Sequence, residues 1–191
     1  MPLDLIRRRV VYGADLPKNY QGSSDHFEPN IKIDWKQSLG YPQGTIWHEL
    51  AHASSGFLGS SSDPGYANYH ERSMQELMQK ARWKFNQSNR MYEIDPQSPA
   101  FDGWEYDDDR YIRRQLSMKE CIGKPGCNPY TEYQFTDPRE MFATWSEYYV
   151  DDSKSFCFQL PTYCPVMKDF YDNREYKSGV WINRPGSGED Q

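Results

Sequence analysis

Apolar and polar residues alternate near the start of the chain. Ile31 and Ile33 are separated by a lysine, and this alternation is typical of a strand with one buried face. We therefore predict a strand over residues 31–35 and a shorter one over residues 9–12. Residues 40–44, which contain Gly and Pro, follow the longer strand and predict a turn.

Three later segments place apolar residues three or four positions apart, which is helical spacing. They predict a first helix over residues 45–57, a long amphipathic helix over residues 67–87 and a third helix that starts near Asp137. The third helix has the clearest start. Asp137 is a suitable N-cap and Pro138 a suitable first helical residue, because proline loses no helical hydrogen bond there.

Residues 94–131 lie between the second and third helices, contain four prolines and predict an irregular insertion. The acidic run at residues 105–109 is expected to be a solvated loop, with a calcium site as the alternative. A length of 191 residues suits one domain, which we assign to residues 1–183, followed by a flexible tail over residues 184–191. The predicted class is α+β, mostly helical, with a small sheet beside the first helix.

The charge and hydropathy of the chain narrow the range of partners. The chain has 22 basic and 28 acidic residues, a net charge of −6, whereas nucleic-acid binding needs a basic face. No stretch approaches the roughly 18 consecutive apolar residues of a membrane span, and the start lacks the apolar core of a secretory signal. We therefore expect no nucleic-acid partner, no membrane partner and a monomeric protein.

The four cysteines form two local pairs, Cys121 with Cys127 and Cys157 with Cys164. Three interpretations remain open. Two local disulfides would fit an oxidising compartment. Alternatively, the four thiols stay reduced and partly buried, or they form a structural zinc site, for which closer cysteine spacings are preferred.

The first predicted helix contains His48-Glu49-Leu50-Ala51-His52, an H-E-x-x-H motif. Residues four apart lie one above the other on a helix, so both imidazoles can reach one Zn²⁺ ion. Glu49 lies one position further round, where it can take a proton from water that the metal has acidified. Apolar neighbours indicate a largely buried helix, in which two histidines need partners. The motif therefore predicts zinc as the cofactor, with His48 and His52 as ligands.

The third ligand is less strongly indicated than the first two. A catalytic zinc keeps three protein ligands and one open position. The metzincin pattern, which supplies a third histidine, is absent, so a carboxylate is the better candidate. Glu71 follows His52 at the spacing of the thermolysin-like and aminopeptidase zincins, H-E-x-x-H-x18-E. The simpler interpretation of Glu71 is a solvated glutamate on the second helix.

Residues 45–56 and 130–150 resemble the catalytic domain of anthrax lethal factor and its relatives, which include the clostridial Pro-Pro endopeptidases. Glu140 opens an E-M-F-A sequence and Tyr133 lies seven residues before it, as in that family. The resemblance implies a zincin-like metalloprotease fold. It also implies that Glu140 is the third zinc ligand and that Tyr133 faces the metal, with Tyr130 as the alternative tyrosine.

Two carboxylates of the third helix have other interpretations. Glu140 can instead complete a capping box with Asp137, reaching back to the start of the helix. Glu147, two turns further along, is either a plain surface glutamate or an acceptor that orients a zinc-bound histidine.

These features predict a zinc metalloendopeptidase with a polypeptide substrate. Analogy with small single-domain zincins, many of which are exported toxins or effectors, leads us to expect a secreted or exported protein of that kind. Glu49 would act as general base and acid, while Tyr133 would stabilise the oxyanion. The family also implies a substrate lying along the strand at residues 30–35. Three alternatives remain: a zinc hydrolase for a non-protein amide such as peptidoglycan, a zincin-fold binding module without turnover, and a cysteine nucleophile paired with a histidine.

Overall fold

Groups of short strands are separated by groups of helices along the part of the chain that the structure, a computed structural model, describes. That part comprises residues 9–12, 16, 22–24, 30–34, 42–54, 72–102, 104–107, 112–115, 124–128, 130–177 and 180–183. The strands are β1 (Arg9–Tyr12), β2 (Gly22–Ser24), β3 (Asn30–Ile33), β4 (Trp83–Asn86), β5 (Met91–Ile94), β6 (Trp104–Asp107), β7 (Ile112–Gln115), β8 (Arg174–Lys177) and β9 (Val180–Asn183). The helices are α1 (Pro42–Ser54), α2 (Arg72–Lys80), α3 (Pro138–Asp151), α4 (Ser153–Gln159) and α5 (Cys164–Lys168). The class is α+β, and within the described ranges no helix is both long and apolar enough to cross a membrane.

A three-stranded sheet lies beside α1, with strand order β1-β3-β2. β3 pairs in parallel with β1 and antiparallel with β2, where Gly22 lies opposite Ile33. Ile31 and Ile33 are fully buried and cluster with Leu50 of α1, which explains the alternation in the sequence. Because both sides of β3 are already hydrogen-bonded, the expectation of a substrate along the strand at residues 30–35 is wrong.

The larger apolar core lies around α3. Met141, Phe142 and Trp145 have no exposed surface, and they pack with buried residues of α2, β4, β5, α4 and α5. α1 contributes Ala51 to this core and Leu50 to the smaller cluster beside the sheet. The helix that carries the H-E-x-x-H motif is therefore held between the sheet and α3.

The helix α3 begins where the sequence predicts. Asp137 is extended, and its Oδ1 accepts hydrogen bonds from the backbone N–H groups of Arg139 at 2.7 Å and Glu140 at 3.2 Å. Pro138 is the first helical residue. This cap satisfies two of the N–H groups that a helix start leaves without partners, and it places Glu140 in the first turn.

The capping contribution of Asp137 can be measured directly. Asp137→Ala is expected to lower the free energy of unfolding by about 1–2 kcal/mol, because two backbone donors lose their acceptor and the 2.9 Å ion pair with Arg139 is lost as well. Thr131 is the matched control, since it precedes a 3₁₀ turn at Glu132–Phe135 without making a side-chain capping bond. Thr131→Ala should cost less than about 0.5 kcal/mol in the same urea unfolding experiment. Equal losses for the two variants would show that the cap contributes nothing.

The second helix is shorter than the predicted span of residues 67–87. α2 ends at Lys80, Arg82 adopts a left-handed φ of 57°, and the chain continues into the β4–β5 hairpin. Asn86 and Asn89 stabilise the hairpin turn, because each Oδ1 accepts a backbone N–H two residues further on, at 2.9 and 3.0 Å. The predicted start of this helix lies outside the described residues.

The region predicted to be irregular, residues 94–131, contains a second hairpin, β6–β7. Three residues of the acidic run, Glu105 to Asp107, belong to strand β6, so the prediction of a loop is wrong for them. Residues 108–109 lie outside the described part, as does the predicted tail at residues 184–191.

A disulfide between Cys157 and Cys164 joins α4 to α5. Cys127 is also disulfide-bonded, and none of the described cysteines is free. The disulfide interpretation is therefore confirmed for Cys157 and Cys164, and reduced thiols or a zinc site are wrong for that pair. Cys121 lies outside the described residues.

Several buried tyrosines are expected to ionise only when the chain unfolds. Burial raises the pKa of Tyr130, Tyr149 and Tyr163, and Tyr149 also donates a hydrogen bond to Asp172 at 2.9 Å. A tyrosine whose pKa is higher in the folded state stabilises the fold fully below about pH 10, the unfolded value, and loses that contribution above it. The free energy of unfolding should therefore fall above about pH 10. In an alkaline titration, the absorbance of ionised tyrosine should rise over the same pH range in which the circular dichroism signal of the fold is lost. Ionisation of all tyrosines while the chain is still folded would contradict this prediction.

Candidate metal centre

Three side chains from two helices converge where α1 packs along α3. Glu140 Oε2 lies 3.1 Å from His48 Nε2 and 3.2 Å from His52 Nε2. The two imidazoles are one turn apart on α1, with ring centroids 4.8 Å apart and ring planes at 83°. One ligand atom from each of the three residues lies within 4.8 Å of the others, so this partly buried group can hold a metal ion.

Glu140 reaches the histidines because of how α3 starts. Asp137 caps the backbone N–H of Glu140, and the Glu140 side chain extends towards α1 and contacts both imidazoles. The three side chains could therefore hold a metal ion together, and they are the set that the family resemblance implies. Glu71, the alternative third ligand, lies outside the described residues.

A second carboxylate lies at the other nitrogen of His48. Glu147 Oε2 is 3.7 Å from His48 Nδ1, and Glu147 follows Glu140 on the same helix. The contact is an ion-pair distance, longer than an ordinary hydrogen bond. The His48 ring therefore has a carboxylate at each nitrogen, and Glu147 is placed to hold the ring orientation that turns Nε2 towards Glu140.

The charges in the cluster change the protonation of the metal-free protein. Burial opposes a charge on His48, but the neighbouring Glu140, Glu147 and Glu49 outweigh it and raise the pKa of His48 to about 9. Burial likewise opposes a charge on Glu140, yet its hydrogen bonds to His48 and His52 hold the pKa of that carboxyl well below its usual range. At neutral pH the metal-free centre thus holds a proton on His48, which a bound metal ion would displace.

Glu49 is buried beside this centre, with 7% of its surface exposed. It shares a face of α1 with Thr45, one turn earlier, and strand β2 approaches that face at Gly22. Glu49 lies near enough to His48 and Tyr133 to interact electrostatically with both. The predicted base is therefore next to the centre without being part of the three-residue group.

Tyr133 lies beside the centre, half exposed, with its ring centroid 6.1 Å from that of His48. Partial burial and the negative charge of Glu140 raise the pKa of the Tyr133 hydroxyl above its usual value, so the hydroxyl is protonated at neutral pH, as in an ordinary tyrosine. Tyr130 does not take this place. It is buried, and its hydroxyl hydrogen-bonds Gln159 at 3.1 Å, so the alternative tyrosine is wrong.

A buried polar cluster anchors the 3₁₀ turn that carries Tyr133. Gln134 has no exposed surface, and its Oε1 accepts hydrogen bonds from Trp145 Nε1 at 2.7 Å and Asn128 Nδ2 at 2.8 Å. Its amide nitrogen donates to the Thr131 carbonyl at 2.8 Å. Nothing in the sequence marks Gln134, because a buried glutamine cannot be told from a surface one until its partners are known.

Comparisons of the chain with protein-family models, curated proteins and solved structures find no match. The likeness to the lethal factor group is therefore a prediction that depends on two short segments. The convergence of His48, His52 and Glu140 is a separate observation, made from the folded chain.

Proposed function

We propose that the chain is a zinc-dependent endopeptidase of the zincin type, with its active centre at His48, His52 and Glu140. The convergence of Glu140 on both histidines carries the proposal. Glu140 is far from the H-E-x-x-H motif in sequence, yet its Oε2 lies within 3.2 Å of both imidazoles. A carboxylate there would be the third metal ligand, in addition to the two histidines of the motif.

Zinc is the metal that these donors suit best. Two imidazole nitrogens and one carboxylate oxygen form a known catalytic zinc set that leaves a fourth position open. Ligand atoms about 2 Å from a tetrahedral ion lie about 3.3 Å apart. The two nitrogen–oxygen distances in the cluster, 3.1 and 3.2 Å, are close to that value. Zinc held there would supply Lewis acidity, which acidifies water and polarises a peptide carbonyl.

Three further side chains have distinct roles in the proposed reaction. The Glu49 carboxylate takes a proton from the attacking water and passes it to the departing amine nitrogen. The protonated Tyr133 hydroxyl donates a hydrogen bond to the oxygen of the scissile carbonyl as negative charge develops there. Glu147 holds the Nδ1 side of His48, so that Nε2 faces the centre.

An extended polypeptide is the substrate that the sheet beside α1 favours. β2 approaches α1 next to Glu49, and among the described strands it pairs with β3 alone. An extended chain can add to such an edge through backbone hydrogen bonds. We therefore replace the expected substrate position along β3 with one along β2.

The disulfide between Cys157 and Cys164 supports an oxidising place of action. Disulfides persist outside the cytosol and are rare in it, because cytosolic thiol systems reduce them. A secreted or exported protease is consistent with this bond.

Digestion of a peptide library, analysed by mass spectrometry, tests the proposed function. The zinc-loaded protein should cleave a subset of the peptides, an excess of phenanthroline should stop cleavage, and added zinc should restore it. Cleavage that is indifferent to the chelator would reject the metal centre. A zinc-loaded protein that cleaves no peptide would reject the endopeptidase and leave a non-protein amide or a binding role.

A further inference from the structure

Strand β2 approaches α1 so closely that a side chain at residue 22 would not fit. A Cβ atom added to Gly22 would lie 2.8 Å from Glu49 Cγ, 2.8 Å from Glu49 Oε1 and 2.9 Å from Thr45 Cγ2. Real Cβ atoms essentially never approach other atoms within 3.0 Å. The φ angle of Gly22 is outside the left-handed region, so lack of space, and not backbone conformation, requires glycine here.

Of the groups around Gly22, the Glu49 side chain is the one able to move. Thr45 is buried and β-branched, which leaves it few rotamers. The β2 backbone is fixed by its pairing with β3, where Gly22 lies opposite the fully buried Ile33. Glu49 has three side-chain torsions and ends in a carboxylate. A methyl group at residue 22 would therefore displace that carboxylate.

We propose that Gly22 is a positioning residue for Glu49: the bare backbone of β2 forms the wall that holds the carboxylate beside the His48, His52 and Glu140 centre. The near-complete burial of Glu49 agrees with a side chain confined between strand and helix. The catalytic part of this role rests on the proposed function, in which Glu49 moves the proton. The contact itself rests only on the geometry of β2 and α1.

A double-mutant cycle in thermal unfolding tests the contact. In the full chain freed of metal, Gly22→Ala should lower the unfolding temperature by about 5 °C, because it overpacks a closed site. In the Glu49→Ala background the same change should cost less than half as much, since the added methyl group then has room. Thr45→Ser, which removes the Cγ2 atom, measures the share due to Thr45. An equal loss in the wild-type and Glu49→Ala backgrounds would overturn the proposal.

Kinetics and metal titration test the positioning role. Gly22→Ala should keep its zinc affinity within about threefold, because neither Gly22 nor Glu49 is a ligand. Its kcat on a cleavable peptide should fall at least about tenfold, with KM within about twofold. An unchanged kcat would overturn the positioning role even if the unfolding cycle shows coupling. A wild-type protein that cleaves no peptide would reject the proposed function and the catalytic part of this role, while the unfolding cycle would still decide whether Gly22 confines Glu49.

Discussion

Replacing Glu49 with glutamine is expected to lower kcat by about 10³-fold while zinc stays bound. Glutamine has nearly the same shape as glutamate, so it fills the space under β2. Its amide cannot take a proton from water, which removes the base from the proposed reaction. Glu49 is outside the group of three ligand atoms, so the metal content should not change. Peptide cleavage rates and metal analysis of the same samples measure both quantities.

The matched control for this variant is Glu76→Gln. Glu76 is on α2 and forms a surface ion pair with Lys80 at 3.6 Å, so the same chemical change there should leave kcat within about twofold. A Glu49→Gln protein with wild-type activity would refute the assigned role of Glu49. A Glu49→Gln protein that had lost its zinc would show instead that Glu49 helps to hold the metal.

Replacing Glu140 with glutamine is expected to weaken zinc binding at least about 10²-fold. The change removes the anionic oxygen that contacts both imidazoles and leaves a neutral amide in its place. Glu147→Gln should weaken binding only about tenfold, because Glu147 contacts His48 through the nitrogen facing away from Glu140. Competition with a chromophoric chelator gives both affinities under the same conditions.

The informative result is which variant, Glu140→Gln or Glu147→Gln, loses more zinc affinity. Losses of equal size would mean that Glu147 and Glu140 contribute alike, which the 3.7 Å and 3.1 Å distances do not predict. Unchanged zinc affinity in Glu140→Gln would exclude Glu140 as a ligand and favour Glu71. Circular dichroism shows whether Glu140→Gln folds. Zinc affinity is then measured on the folded protein alone, so that a loss of folding is not counted as a loss of binding.

Local chemistry made part of this site predictable from the sequence. The spacing of His48 and His52 places both on one helical face wherever the helix lies in the fold. The start of α3 is equally local, since Asp137 and Pro138 need only their own neighbours to cap and begin a helix. The predicted start of α3 is confirmed at Pro138. α1 contains both histidines, as predicted, but it begins at Pro42, so the predicted turn is wrong for residues 42–44, which are helical.

Local chemistry cannot determine that Glu140 contacts the two histidines of the motif. Seen alone, Glu140 fits a capping box as well as a metal site, and only the family resemblance favoured the latter. Its contact with the histidines depends on how α1 packs along α3, which involves residues far apart in sequence. The contact of Glu147 with His48 and the close approach of Gly22 to Glu49 also depend on the packing of residues far apart in sequence.

The errors in the predicted elements also have physical causes. Phe85 fits the apolar face of a long helix, but Trp83 and Phe85 together fit a strand of period two, and the turn that Asn86 and Asn89 stabilise favours the strand. The central position of β3 depends on its parallel pairing with β1, which a strand pattern cannot specify.

Anomalous diffraction from crystals grown with zinc would locate the metal directly. We expect a single strong peak at the zinc absorption edge, about 2 Å from Nε2 of His48, from Nε2 of His52 and from a carboxylate oxygen of Glu140. A zinc peak at another set of side chains, or an empty site between imidazoles that point apart, would contradict the proposed centre.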